Sequence, residues 1–246
     1  MIELLMYGGV AALANVAGGF WLTSRRRIGP SLLARLVGLG AGFMLAAVFL
    51  EVAPAAVRLW PGQLEVPLGL VLGGYLLIQF FEHTMVSHFH LGEETHPEAL
   101  LDTRAMVAAI GGLTIHTFFD GVVIAAGFLV DVRLGFLIFL AVVLHKIPDG
   151  VTVASIVLAS GRSRQMARWA TLLVGGATLV GVIAVGPFQG SVGYVLPLSA
   201  GVTLYIAASD LIPEVNKEEG VFVSVVVFAG VALFYLTDQL MTGLGL

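Results

Sequence analysis

The sequence predicts an all-α protein that spans a lipid bilayer eight times, with three helices, two helices and three helices arranged as an inverted repeat. Three observations carry this expectation. Hydrophobic residues make up 58% of the 246 residues and charged residues only 11%, with a mean hydropathy of +0.99, well above that of soluble domains. Polar punctuation divides the chain into stretches close to the ~20 apolar residues that a helix needs to cross the hydrocarbon layer. Two related motifs then stand on neighbouring stretches, His116-Thr-Phe-Phe-Asp120-Gly121 and His145-Lys-Ile-Pro-Asp149-Gly150.

The spans are expected at 2–23, 31–57, 67–82, 104–130, 134–159, 169–188, 193–213 and 221–245. The first has no basic residue ahead of it and is followed by Arg25, Arg26 and Arg27, the reverse of a cleaved signal peptide, so it reads as a retained helix entering from outside. The inner loops then hold Arg25, Arg26, Arg27, Arg104, Arg162, Arg164, Arg168 and Lys217, against Arg58 and Arg133 in the outer ones, which satisfies the positive-inside bias. A multi-pass protein of the cell membrane follows, one transmembrane domain over 1–246 with both termini outside. The third span is the weakest, interrupted by Gly73 and Gly74 and carrying Gln79 and Glu82 towards its end. After it comes an inner loop, at about 83–103, in which His83, His88, His90 and His96 stand among Glu93, Glu94, Glu98 and Asp102. Without a fixed ligand spacing, this loop reads equally as a solvated acidic segment or as a weak metal-capturing one.

The repeat rests on a second pair of motifs. Glu51-Val-Ala-Pro54 lies towards one end of the second span and Asp210-Leu-Ile-Pro213 towards the opposite face in the seventh, which runs the other way. Inverted repeats of this kind place a transport site near the midplane, where the halves meet. The competing explanation is that an acid and a proline both simply mark helix ends.

A spacing of four residues puts each histidine and its aspartate on one helical face. Ionisable groups inside a membrane are costly and mark function by default. Two carboxylates and two neutral imidazoles would offset the charge of a divalent cation and supply four ligands. The chain has no cysteine, so the donors are nitrogen and oxygen, which suits Zn²⁺, Fe²⁺ or Mn²⁺ rather than Cu⁺. Pro148 lacks the amide that would bond the Leu144 carbonyl, leaving an acceptor beside His145, and Gly121 and Gly150 permit close helix approach. Lys146 is too deep to reach the interface with its side chain; it must be uncharged or paired with a carboxylate. No His-Glu-x-x-His pair supports a metalloprotease. The twelve basic residues are scattered, so no nucleic acid is expected as a partner. A proton-coupled carrier of a non-metal substrate, using the same carboxylates, is the alternative.

Those two motifs, in adjacent central spans, resemble the ZIP (Zrt-, Irt-like protein) family of divalent-metal transporters. Looser similarity runs from Gly40 to Pro54 and from Ala200 to Glu214. The resemblance implies a transporter rather than an enzyme, moving zinc, or iron, manganese or cadmium, into the cytoplasm as substrate and without a cofactor. It assigns His116, Asp120, His145 and Asp149 as the metal ligands. The chain departs from the family at Thr117, where Asn or Ser is frequent, and at Lys146, where two-metal members carry an acid or amide. It also has no acid between Thr171 and Gln189. One ion is therefore expected rather than two. The expected partners are divalent ions, the bilayer and a second copy of the chain as a homodimer.

Overall fold

The computed structural model describes residues 2–24, 30–85, 103–217 and 221–244, and these are helical nearly throughout. We label the helices α1 (Ile2–Thr23), α2 (30–58), α3 (Glu65–Met85), α4 (Thr103–Val130), α5 (Val132–Ala159), α6 (Arg164–Ala184), α7 (192–216) and α8 (Val221–Gly243). Among the described residues, seven helices are long and apolar enough to cross a membrane, and α3 contributes the shorter apolar stretch Glu65–Phe81. The protein is thus an all-α polytopic membrane protein. Asp131, the one residue between α4 and α5, caps α5 by accepting from the Leu134 amide at 3.1 Å; Ser163 caps α6 in the same way through Met166. Arg25, Arg26 and Arg27 lie outside the described residues, as do His88, His90 and His96 with Glu93, Glu94, Glu98 and Asp102; of His83 only the backbone is described.

The helices form two groups. α1, α4, α5 and α6 pack on one another, while α2 packs along α8 and α3 along α7, with α2 and α7 also in contact. The groups meet along a seam where α2 touches α5 and α7 touches α4. Lipid offers no hydrophobic reward for helix association, so packing depends on how closely backbones approach. At four crossings, glycines on both helices face carbonyl oxygens reciprocally. A Cβ at Gly18 would lie 2.1 Å from Ile147 O, and one at Gly150 1.8 Å from Asn15 O. The α4–α6 crossing does the same with Gly121 against Thr178 O and Gly181 against Phe118 O, both at 2.0 Å. In the second group, Gly42 faces Val227 O and Gly230 faces Leu39 O, while Gly201 faces Val71 O and Gly74 faces Leu198 O.

These crossings are related in pairs. Exchanging α1 with α6, α2 with α7, α3 with α8 and α5 with α4 carries Gly18 onto Gly181, Gly150 onto Gly121, Gly42 onto Gly201 and Gly74 onto Gly230. The same registers carry His145 onto His116, Asp149 onto Asp120, Glu51 onto Asp210 and Pro54 onto Pro213. The two acid-x-x-Pro motifs do not terminate helices. Glu51 and Asp210 sit in π-helical turns, Val48–Val52 and Ile206–Leu211, inside α2 and α7. Proline has no amide to donate, and the ladder widens just before it: Ala53 N–H reaches back to Val48 O, and Ile212 N–H to Ala207 O. The helix-end explanation is displaced by this matched geometry. By contrast, α5 runs unbroken through Pro148.

The crossings make a prediction. Gly150→Ala drives a methyl into the Asn15 carbonyl and is expected to destabilise the fold by about 1–3 kcal/mol or more. Gly176→Ala on α6, where nothing lies within 4 Å, is expected to be neutral or mildly stabilising. Thermal unfolding of the two variants in detergent should separate them, and coincident curves would refute the role given to the crossings.

Candidate metal centre

His116 and Asp120 stand one turn apart on α4, and His145 and Asp149 one turn apart on α5; all four are buried. Gly121 and Gly150, each next to an aspartate, seat these helices against α6 and α1, so the carboxylates are held at backbone-contact crossings. His116 Nε2 lies 3.1 Å from Asp120 Oδ2 and 3.4 Å from Asp149 Oδ2. His145 Nε2 lies 3.5 Å and 3.8 Å from the same two oxygens. Ligand atoms of the four residues all fall within 4.8 Å of one another. Metal bonds of about 2.0–2.2 Å in a tetrahedron give edges of roughly 3.3–3.6 Å. The observed separations bracket that range.

The orientation of the rings also suits ligation. His145 Nδ1 is 2.9 Å from the Ala141 carbonyl; donating there leaves Nε2 with its lone pair towards the carboxylates. Neither Nε2 has an aligned hydrogen bond, although both lie near carboxylate oxygens. The contacts are close without the directionality of a hydrogen bond. Two buried imidazole nitrogens are thus left directed at two acids, an arrangement whose cost is recovered when a cation is shared.

Lys146 is fully buried and pairs with both carboxylates. Its Nζ lies 2.5 Å from Asp120 Oδ2 and 3.3 Å from Asp149 Oδ2, and it donates to Thr117 Oγ1 at 3.1 Å. The ammonium therefore uses the same oxygens as the imidazoles approach. Of the two options that the sequence leaves open, uncharged or paired, the structure has the pair. Thr117 enters as its third contact, a role not visible from the sequence.

Glu51 is not brought to the centre. It accepts from Arg133 on α5 at 3.3 Å, and Arg133 also binds Asp238 on α8. Asp238 was not singled out by sequence reasoning, though a lone acid late in an apolar span was the available signal. Asp210 is buried in the second π-helical turn.

Comparison with known proteins accords with this geometry. A family profile described as "ZIP Zinc transporter" matches residues 93–238, which include both histidine motifs. The "Zinc transporter ZIP13 homolog" of Drosophila melanogaster is 37% identical over 113 residues, 43% of this chain and 32% of that protein. The "Zinc transporter ZIP13" of Pongo abelii is 27% identical over 215 residues, 79% of this chain and 62% of that protein. The "Zinc transporter SLC39A7" of Rattus norvegicus is 31% identical over 140 residues, 51% and 30% respectively. The aligned segments span less than two thirds of the length of each of these relatives. With the profile covering more than half of the sequence and both histidine motifs inside it, the chain belongs to the ZIP zinc transporter family.

Proposed function

We propose that the chain carries divalent metal ions, zinc foremost, across the membrane into the cytoplasm, and that His116, Asp120, His145 and Asp149 bind the ion in transit. The observation that carries this reading is the convergence of two imidazole nitrogens and two carboxylates, all buried and within 4.8 Å, on the two central helices of a polytopic protein. An N₂O₂ donor set accepts zinc readily and accepts iron and manganese too. Histidine and aspartate must be deprotonated to bind, so metal and protons compete for the site. The orientation follows from the basic residues: the α5–α6 turn, with Arg162, Arg164 and Arg168, faces the cytoplasm, and the α4–α5 turn faces outside. The family's members are transporters, and no enzymatic step is invoked.

The test is uptake into proteoliposomes containing the purified chain, with zinc as tracer and iron, manganese and cadmium as competitors. Saturable zinc uptake, reduced by the competitors in a reproducible order, is expected. Proton flux that needs no metal, with no zinc uptake, would instead establish the alternative carrier. Cysteines introduced at Ser163 and Leu59, in this cysteine-free chain, should label from the cytoplasmic and external sides respectively; the opposite pattern reverses the direction.

A further inference from the structure

Apart from the metal centre, charged side chains from three helices meet near the turn between α4 and α5. Arg133, in the first turn of α5, donates from Nη2 to Glu51 Oε1 on α2 at 3.3 Å and from Nε to Asp238 Oδ1 on α8 at 2.9 Å, with Nη2 also bonded to Asp238. The three side chains are mostly buried. Arg133 belongs to the group of α1, α4, α5 and α6, whereas Glu51 and Asp238 belong to the other group. The cluster therefore bridges the seam, at the end where α4 turns into α5.

The seam differs from the rest of the packing. Each of the reciprocal glycine crossings lies within one group. Among the described residues, where α2 meets α5 at Gly40, a Cβ would lie at an ordinary 3.4 Å from His145. Backbones interlock inside each group, while the seam is held by side chains, so it is the surface along which the groups can part.

The register of the repeat then adds an independent observation. The exchange that relates the glycine crossings carries Arg133 onto Arg104 in the first turn of α4, Glu51 onto Asp210 in α7, and Asp238 onto Glu82 near the end of α3. A base and two acids recur, charge for charge, at these register positions in the sequence. Such agreement at three positions on three helices is not a general property of the repeat: Lys146 has Thr117 as its counterpart, and Tyr75 has Val231.

We propose that Arg133, Glu51 and Asp238 form an ionic latch that closes the α4–α5 face of the seam, so that breaking it shifts the chain towards opening at that face and away from opening at the other. This rests on the transport reading above. The chemistry suits a reversible closure. Parting the seam admits water to all three groups, and the solvation they regain offsets the contacts they lose. A latch of this kind biases an equilibrium rather than locking it. Glu51 is then a closing element.

Cysteine accessibility tests the idea. Val52→Cys, next to Glu51, and Leu211→Cys, next to Asp210, both buried in the native protein, report on the two faces. Each is labelled with a membrane-impermeant maleimide from its own side, in protein that elutes from size exclusion as the native chain does. Arg133→Ala is expected to raise the labelling rate of Val52→Cys by about 5- to 100-fold and to lower that of Leu211→Cys. Arg133→Asp combined with Asp238→Arg, which keeps the charges and exchanges their helices, should return both rates towards the native values. Labelling that rises at both faces, changes at neither, or is not restored by the exchange overturns the proposal. The readout needs no metal, so a failure of the latch and a failure of metal transport are separate results.

Discussion

Alanine at any one of His116, Asp120, His145 or Asp149 is expected to reduce zinc uptake by about a hundredfold or more, while the protein still reaches the membrane. Each change removes one of the four converging groups proposed as ligands, and the two aspartate changes also leave Lys146 with one carboxylate in place of two. The variants should therefore divide. His116→Ala and His145→Ala lose metal binding with little loss of thermal stability in chelator, because no buried charge is left unpaired. Asp120→Ala and Asp149→Ala lose both, and Asp120→Ala loses more, since its oxygen makes the shorter contact to Lys146. Uptake measured with protein amount controlled, together with melting in chelator, checks each part. Native uptake in two of the four would remove the site.

Lys146→Ala is expected to separate stability from affinity. Without metal, Asp120 and Asp149 would face each other without the ammonium that pairs with both, at a cost of about 3–5 kcal/mol. Saturating zinc should restore most of that loss, because the ion takes over the charge. Zinc should bind about one to two orders of magnitude more tightly, with a competing cation gone, and its release should slow accordingly. Equilibrium dialysis of the native protein should give one central ion per chain. Lys146→Asp, which adds a third carboxylate, should admit a second. Two central ions in the native chain, or none in Lys146→Ala, would show that the lysine does not stand in for a second cation.

What was legible in the sequence was whatever depends on local period and composition. The first span, expected at 2–23, is α1, Ile2–Thr23, because Arg25, Arg26 and Arg27 follow it at once. The pairing of His116 with Asp120 and of His145 with Asp149 is also local, since helical geometry fixes what lies one turn away. Caps were harder. The sixth span, expected at 169–188, begins at Arg164 because the Ser163 side chain starts the helix ahead of the apolar run, and it ends at Ala184 because Gly186–Ser191 turns in a tighter 3₁₀ helix despite its apolar residues. The third span reaches from Glu65 to Met85, beyond the expected 67–82, because polar residues continue its helix at both ends. Tertiary pairings were not legible at all. The chain has 31 glycines, and nothing local distinguishes Gly42 or Gly181, which face carbonyls, from Gly9 or Gly176, which face open space. Arg133 and Asp238 meet across most of the second half of the chain, and only the fold relates them.

The pairing of Lys146 with two aspartates also has an electrical consequence. In the proposed transport an ion of charge two crosses at each turnover whatever the lysine does, but a charged lysine would decide at which stage the membrane voltage acts. With two carboxylates alone, the centre would carry a charge of −2 empty and zero loaded, and all of the voltage would fall on the empty return. With the ammonium present, the centre would be −1 empty and +1 loaded, so an inside-negative potential would favour both the proposed inward movement of the loaded form and the outward movement of the empty one. A full elementary charge crossing the field is worth about 2.3 kcal/mol per 100 mV. The lysine would thereby divide between two steps a driving force otherwise confined to one, and neither step would have to carry a doubly charged centre through the low-dielectric interior.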